Sequence, residues 1–117
     1  MQYKPGLHLL LNIKTSSVNE LSLSLSWKNF IADQISKFKL TTVGEAFHEF
    51  EGGGFTAIHG LTESHVSIHT WPEYNYCTCD IFLSNYKNEN SNIVKEIGKA
   101  VVDFYKSTDF EWKEIER

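Results

Sequence analysis

The segment from Leu61 to Tyr74, LTESHVSIHTWPEY, places Glu63, Ser64, His65, His69 and Glu73 inside a pattern that otherwise reads as a β-strand. Serine and histidine with a carboxylate are the parts of a nucleophilic hydrolase, and Asp80 is available as the third member. The Gly-x-Ser-x-Gly turn that exposes such a serine in doubly wound folds is absent around Ser64. A metal site from His65, His69 and Asp80 meets a geometric objection. Two histidines four residues apart lie ~13 Å apart in an extended strand, too far to share one ion. No metal is expected. Cys77 and Cys79, separated by one residue, point the same way on a strand and suit neither a local disulfide nor a lone zinc site. They read as small buried hydrophobes.

The elements that must position these side chains follow from periodicity. Leu7, Leu9, Leu11 and Ile13 alternate with His8, Asn12 and Lys14, as in a half-buried strand. Trp27, Phe30, Ile31, Ile35 and Phe38 recur at helical spacing, and the preceding LSLSLS alternates and is ambiguous. Thr41 to Glu51 alternates again and runs into Gly52, Gly53 and Gly54, a turn signal that also lets backbone approach a ligand closely. Phe55 to Thr62, Ser64 to Trp71 and Tyr76 to Ser84 read as further strands, with Trp71-Pro72 ending the second of these. The polar NYKNENSN, Asn85 to Asn92, is a loop. Ile93, Val94, Ile97, Val101, Phe104 and Tyr105 form the stripe of a second helix, and FEWKEIER, Phe110 to Arg117, is a last strand.

The order βαββββαβ predicts an α+β two-layer sandwich, a largely antiparallel sheet with helices on one face. On the fourth strand Val66 and Ile68 share one side, and His65, Ser67, His69 and Trp71 the other. On the fifth, Cys77, Cys79, Ile81 and Leu83 oppose Thr78, Asp80, Phe82 and Ser84. A polar face that also carries Trp71 and Phe82 predicts sheet-on-sheet dimerisation into a four-layer αββα arrangement.

Composition bounds the function. The chain has 117 residues, 41 % of them hydrophobic, enough for one core and a single domain spanning 1–117. A formal net charge of -4 and the lack of any basic run argue against nucleic acid as a partner. No stretch is long enough to span a bilayer. Asn12 and Lys14 interrupt the apolar run near the N-terminus, so no secretion signal is expected and the predicted location is the cytoplasm.

The string ESHVSIHTWPEYNYCTCDIF closely resembles the processing-site segment of the prokaryotic S-adenosylmethionine decarboxylases, small pyruvoyl enzymes of polyamine synthesis. The resemblance covers chain length, element order and the segment from about Phe47 to Phe82. It implies a proenzyme that cuts itself between Glu63 and Ser64 into fragments 1–63 and 64–117. In that chemistry the Ser64 hydroxyl attacks the Glu63 carbonyl to form an ester. Loss of the Ser64 α-proton expels the Glu63 carboxylate and leaves dehydroalanine, which hydrolyses to a pyruvoyl group. This covalent pyruvoyl cofactor forms a Schiff base with the amine of S-adenosylmethionine and takes up the electrons released with CO2.

The resemblance also implies roles. His69 is the processing base, and Thr56 stands where the family usually has a serine that assists the acyl shift. Phe50 aligns with an aromatic that stacks on adenine, Glu73 with a carboxylate that holds the ribose hydroxyls, and His65 lies in the substrate site. Ser84 occupies the position of a cysteine proposed as proton donor, although an alkyl hydroxyl is a far weaker acid than a thiol of pKa about 8.5. The family's glycines after the Pro-Glu-Tyr and after that cysteine are Asn75 and Asn85 here. The expected product is decarboxylated S-adenosylmethionine for spermidine synthesis, made by a homodimer or a larger homo-oligomer. Two alternatives stay open: a pyruvoyl-dependent ornithine or arginine decarboxylase on the same scaffold, and a non-catalytic homologue acting as a binding or regulatory subunit.

Overall fold

A computed structural model describes residues 2–86 and 88–117. Lys87, in the predicted loop, and Met1 lie outside the described residues. Six strands, β1 (Leu7–Lys14), β2 (Thr42–Glu49), β3 (Phe55–Leu61), β4 (Ser64–Trp71), β5 (Tyr76–Leu83) and β6 (Asp109–Glu116), form one sheet in the order β2-β3-β4-β5-β1-β6. Every neighbouring pair is antiparallel. The helices α1 (Val18–Ser22), α2 (Ser24–Lys37) and α3 (Ser91–Phe104) complete the chain, with a 3-10 turn at Pro72–Tyr74.

The helix-facing side of the sheet is apolar because alternation puts it there. Leu9, Leu11 and Ile13 of β1, Val66 and Ile68 of β4, and Cys77, Cys79 and Ile81 of β5 are all buried. Trp27, Ile31 and Ile35 of α2 and Val94, Ile97 and Val101 of α3 face them at helical spacing. Each such Leu, Ile or Val side chain contributes about 1.5–3 kcal/mol on burial. At Gly98 α3 packs tightly against the sheet. A Cβ there would collide with the Leu9 side chain and come within 2.9 Å of the Trp112 ring. Gly98→Ala is therefore expected to lower stability by about 1–3 kcal/mol, read as a shift of the urea midpoint with an unchanged slope.

The ambiguous LSLSLS resolves as helix, not strand. Leu21 is buried in α1, Leu23 links α1 to α2, and Leu25 is exposed on α2. Two contacts remote in sequence fix it: Thr70 Oγ1 donates to the Leu21 carbonyl at 2.6 Å, and Glu49 Oε2 accepts from the Ser24 N–H at 3.1 Å, capping α2. The strand predicted to end at Ser84 ends at Leu83. The predicted loop is closed by Asn85, whose Oδ1 accepts from the Asn90 N–H at 2.6 Å just ahead of α3. At Asn75 φ is 52°, a left-handed conformation that asparagine tolerates nearly as well as glycine.

Beneath β2, Trp27 Nε1–H donates to His59 Nε2 at 2.9 Å, and His59 Nδ1 lies 2.6 Å from Glu45 Oε2. The indole can only donate, so His59 carries its proton on Nδ1 and donates to the carboxylate. This chain fastens the edge strand to the helix layer.

Candidate active site

Ser64 opens β4 after the tight turn Thr62-Glu63. Two-residue hairpin loops match strand twist when the loop residues themselves take positive φ. Here neither does, and the distortion falls on Ser64, with φ 147°. Such a conformation in a non-glycine residue costs about 1–3 kcal/mol. The carbonyl of the strained Glu63–Ser64 peptide accepts a hydrogen bond from the Ser84 N–H at 2.8 Å. The Glu63 carboxylate is held in turn by the Thr62 hydroxyl at 2.8 Å.

Beside this turn lies an open concavity lined by Tyr3, Ser64, His65, Phe82 and Arg117. Tyr3 and Arg117 were not legible as site residues, because only tertiary structure brings the two ends of the chain here. Gly6 and Arg117 exchange backbone hydrogen bonds of 2.7 and 2.9 Å, and the Tyr3 hydroxyl donates to the Arg117 carbonyl. His8, almost fully buried, stands edge-on to His65 with ring centroids 5.9 Å apart, and 3.7 Å from the Asp80 carboxylate. Burial holds its imidazole below the usual histidine range, against the pull of Asp80. Ser84 lines a separate groove with Gln2, Lys4, Asn85 and Tyr86, joined to the concavity through Tyr3.

The other predicted residues gather at the far end of β4. Thr56 and His69 are paired across β3 and β4, with Thr56 Oγ1 3.0 Å from His69 Nδ1. Next to them, Phe50 and Glu73 line one pocket with Glu51, Gly53, Thr70 and Trp71. Beside the lining residue Gly53, Gly54, at φ 100°, leaves only 3.1 Å between a hypothetical Cβ and the Pro72 ring. His69 follows Ser64 by five residues on one strand, which separates them by ~17 Å. One copy of the chain thus brings together two groups of the predicted residues at opposite ends of the sheet: Glu63, Ser64, His65 and Ser84, and Thr56, His69, Phe50 and Glu73.

Both cysteines face the helix layer. Burial pushes the Cys77 thiol up to about 12, and that of Cys79 well above its ordinary range. Neither is available to the concavity.

Comparison with known proteins supplies the class. A family model described as S-adenosylmethionine decarboxylase matches residues 7–117. A curated S-adenosylmethionine decarboxylase proenzyme from Thermodesulfovibrio yellowstonii is 38 % identical over 80 residues, 68 % of this chain and 59 % of that protein. One from Methanococcus aeolicus is 31 % identical over 112 residues, covering 96 % of this chain and 92 % of its own. The crystal structure of the adenosylmethionine decarboxylase from Aquifex aeolicus shares the fold, with a TM-score of 0.86 at 20 % identity over 99 % of this chain and 92 % of that one. The class is that of the carboxy-lyases with a two-layer α+β fold. Within it, the chain belongs to the S-adenosylmethionine decarboxylase family. Neither alternative, an amino-acid decarboxylase or a non-catalytic subunit, finds support among these relatives. Among the described residues no helix is long and apolar enough to cross a membrane.

Proposed function

We propose that the chain cuts itself between Glu63 and Ser64 and, with the pyruvoyl group formed from Ser64, converts S-adenosylmethionine to its decarboxylated form and CO2, the aminopropyl source for spermidine. Family membership supports the substrate. The observation that carries the self-cleavage is the Glu63–Ser64 peptide itself. Its backbone is strained at Ser64, and its carbonyl already accepts the Ser84 N–H at 2.8 Å. Attack by the Ser64 hydroxyl makes that oxygen an anion, which a fixed N–H donor stabilises. Opening to the ester relieves the strain. Removal of the Ser64 α-proton then expels the Glu63 carboxylate and leaves dehydroalanine; its imine tautomer takes up water to become the ketone, and the Ser64 nitrogen leaves as ammonia.

The surroundings of residue 64 fit a pyruvoyl group: it stands half-exposed at the wall of an open concavity, with room beside it for a substrate. The ketone supplies a covalent hold on the substrate amine and a sink for the electrons freed with CO2.

The α-proton needs a base, and the ~17 Å between Ser64 and His69 in one copy requires that base to come from a second copy. Packing two open sheet faces about a two-fold axis sets each Ser64 end against the partner's Thr56–His69 end, which makes the active form a homodimer or a larger assembly. In the tautomer whose Nδ1–H donates to Thr56 Oγ1, the Nε2 lone pair of His69 is free to take the proton. The same arrangement delivers Phe50 for the adenine ring and Glu73 for the ribose hydroxyls. Two buried free thiols suit a reducing cytoplasm.

Intact-mass analysis of purified protein tests the reading. The wild type is expected as fragments 1–63 and 64–117, the second with a pyruvoyl end, and as a source of labelled CO2 from S-adenosylmethionine. Ser64→Ala is expected as one uncut chain. A wild type that stays whole after long incubation rules out the proposal.

A further inference from the structure

We propose that His65 is the proton donor of the decarboxylation, protonating the substrate carbon after CO2 has left. The inference rests on the function proposed above and adds to it the identity of the acid. The carbon that loses CO2 is bonded to the amine nitrogen, and that nitrogen is held at residue 64, so the carbon lies inside the concavity lined by Tyr3, Ser64, His65, Phe82 and Arg117. When the bond to CO2 breaks, its electron pair stays with the substrate and must accept a proton at that carbon.

Few groups at this wall can supply one. A guanidinium does not release its proton, and a phenol like that of Tyr3 is a weak acid near pH 7. Phe82 has none to give. Ser84 lines the neighbouring groove and carries an alkyl hydroxyl, and the cysteine thiols face the core. Among the side chains that its own copy contributes to this lining, His65 is the one whose type changes charge between pH 5 and 8, the range in which a general acid is most effective. The partner's His69 is paired with Thr56 and assigned to the earlier removal of the Ser64 α-proton.

One ring packed against it is that of His8. His8, the other histidine nearby, is buried, and desolvation lowers its pKa below the usual histidine range. The His8 Nδ1 faces the Arg117 guanidinium at 3.4 Å, so its proton sits on Nε2, toward Asp80. The two rings stand edge-on with centroids 5.9 Å apart, so His8 backs the His65 ring only as a packing partner and adds no acid of its own. The imidazolium of His65 gives its proton to the carbon, and the neutral ring is recharged from water.

The test uses the cleaved holoenzyme and two readouts. A proton delivered to the residue-64 carbon instead of the substrate carbon turns the ketone carbon into that of alanine and, after hydrolysis, releases the substrate as an aldehyde. The mass of fragment 64–117 records this error. In His65→Gln, CO2 release from S-adenosylmethionine is expected to fall about 10²- to 10⁴-fold, while alanine-ended fragment per CO2 rises. An unchanged ratio, with or without slower turnover, overturns the assignment, because a merely structural role slows both outcomes together. Should His65→Gln fail to cut itself, the decision rests on uncut Ser64→Ala protein titrated with S-adenosylmethionine. The His65 ring resonances are expected to shift; their staying fixed while those of Phe82 move, or no shift at either ring, overturns the assignment. A wild type that releases no CO2 from S-adenosylmethionine overturns the parent function, a result distinct from an active wild type with an unaltered ratio in the variant.

Discussion

Ser64→Ala and His69→Ala chains produced in the same cell are expected to yield cut protein, although each variant produced alone stays uncut. The proposed role of His69 as base, together with its separation from Ser64 along β4, predicts it. In a mixed dimer one site combines Ser64 of the His69→Ala chain with His69 of the Ser64→Ala chain and is complete. The other site lacks both groups. With random pairing about half of the His69→Ala chains should be cut and none of the Ser64→Ala chains. Distinct tags on the two chains make the count direct on a denaturing gel. If the mixture is as inert as its components, the base does not come from the partner. Residual uncut His69→Ala should carry the ester and break at residue 63 with hydroxylamine.

The second large effect concerns the open face of the sheet. Ile58 sits on it, 37 % exposed, opposite Ser67 in the β3–β4 ladder and away from the Ser64 concavity. A carboxylate introduced there is harmless in a monomer. Between two packed sheets it is a buried charge without a partner, worth several kcal/mol against association. Ile58→Asp is expected to sediment as a monomer and to remain uncut, although every group assigned to processing is present. Phe82→Asp should also dissociate the assembly, but Phe82 lines the concavity, so its effect on cleavage mixes two causes. Monomeric Ile58→Asp that cuts itself at the wild-type rate would separate assembly from processing and refute the shared site.

Much of this was legible in the sequence because strand alternation is a local rule. The parity of Val66 and Ile68 against His65 and His69, and of Cys77 and Cys79 against Phe82, assigns the two faces correctly. LSLSLS shows where the rule loses its force: its alternation is overridden by Glu49 and Thr70, which reach it from strands distant in sequence. Three features of the site had no sequence signal at all. The donor to the Glu63 carbonyl is a backbone N–H, which any residue at position 84 except proline would offer. Tyr3 and Arg117 arrive through the pairing of chain ends at Gly6. The strain at Ser64 arises from how Thr62 and Glu63 turn, a property of the folded hairpin. By contrast, the distance between Ser64 and His69 was available from strand rise alone, by the same arithmetic that excludes a metal shared by His65 and His69.

The strand order has a consequence for the proposed self-cleavage. Fragment 1–63 contains β1, β2 and β3, and fragment 64–117 contains β4, β5 and β6, yet β1 lies between β5 and β6. The two pieces are therefore interlocked: separating them means breaking the β3–β4, β1–β5 and β1–β6 ladders at once. A cut at residue 63 alters the covalent chain while leaving the sheet closed. What changes is the way back. Before the cut, unfolding is a unimolecular event that the chain can reverse alone. Afterwards it is a dissociation, whose reversal depends on two fragments meeting and thus on their concentration. The proposed maturation would convert a refoldable polypeptide into an object whose working life is set by how slowly it comes apart.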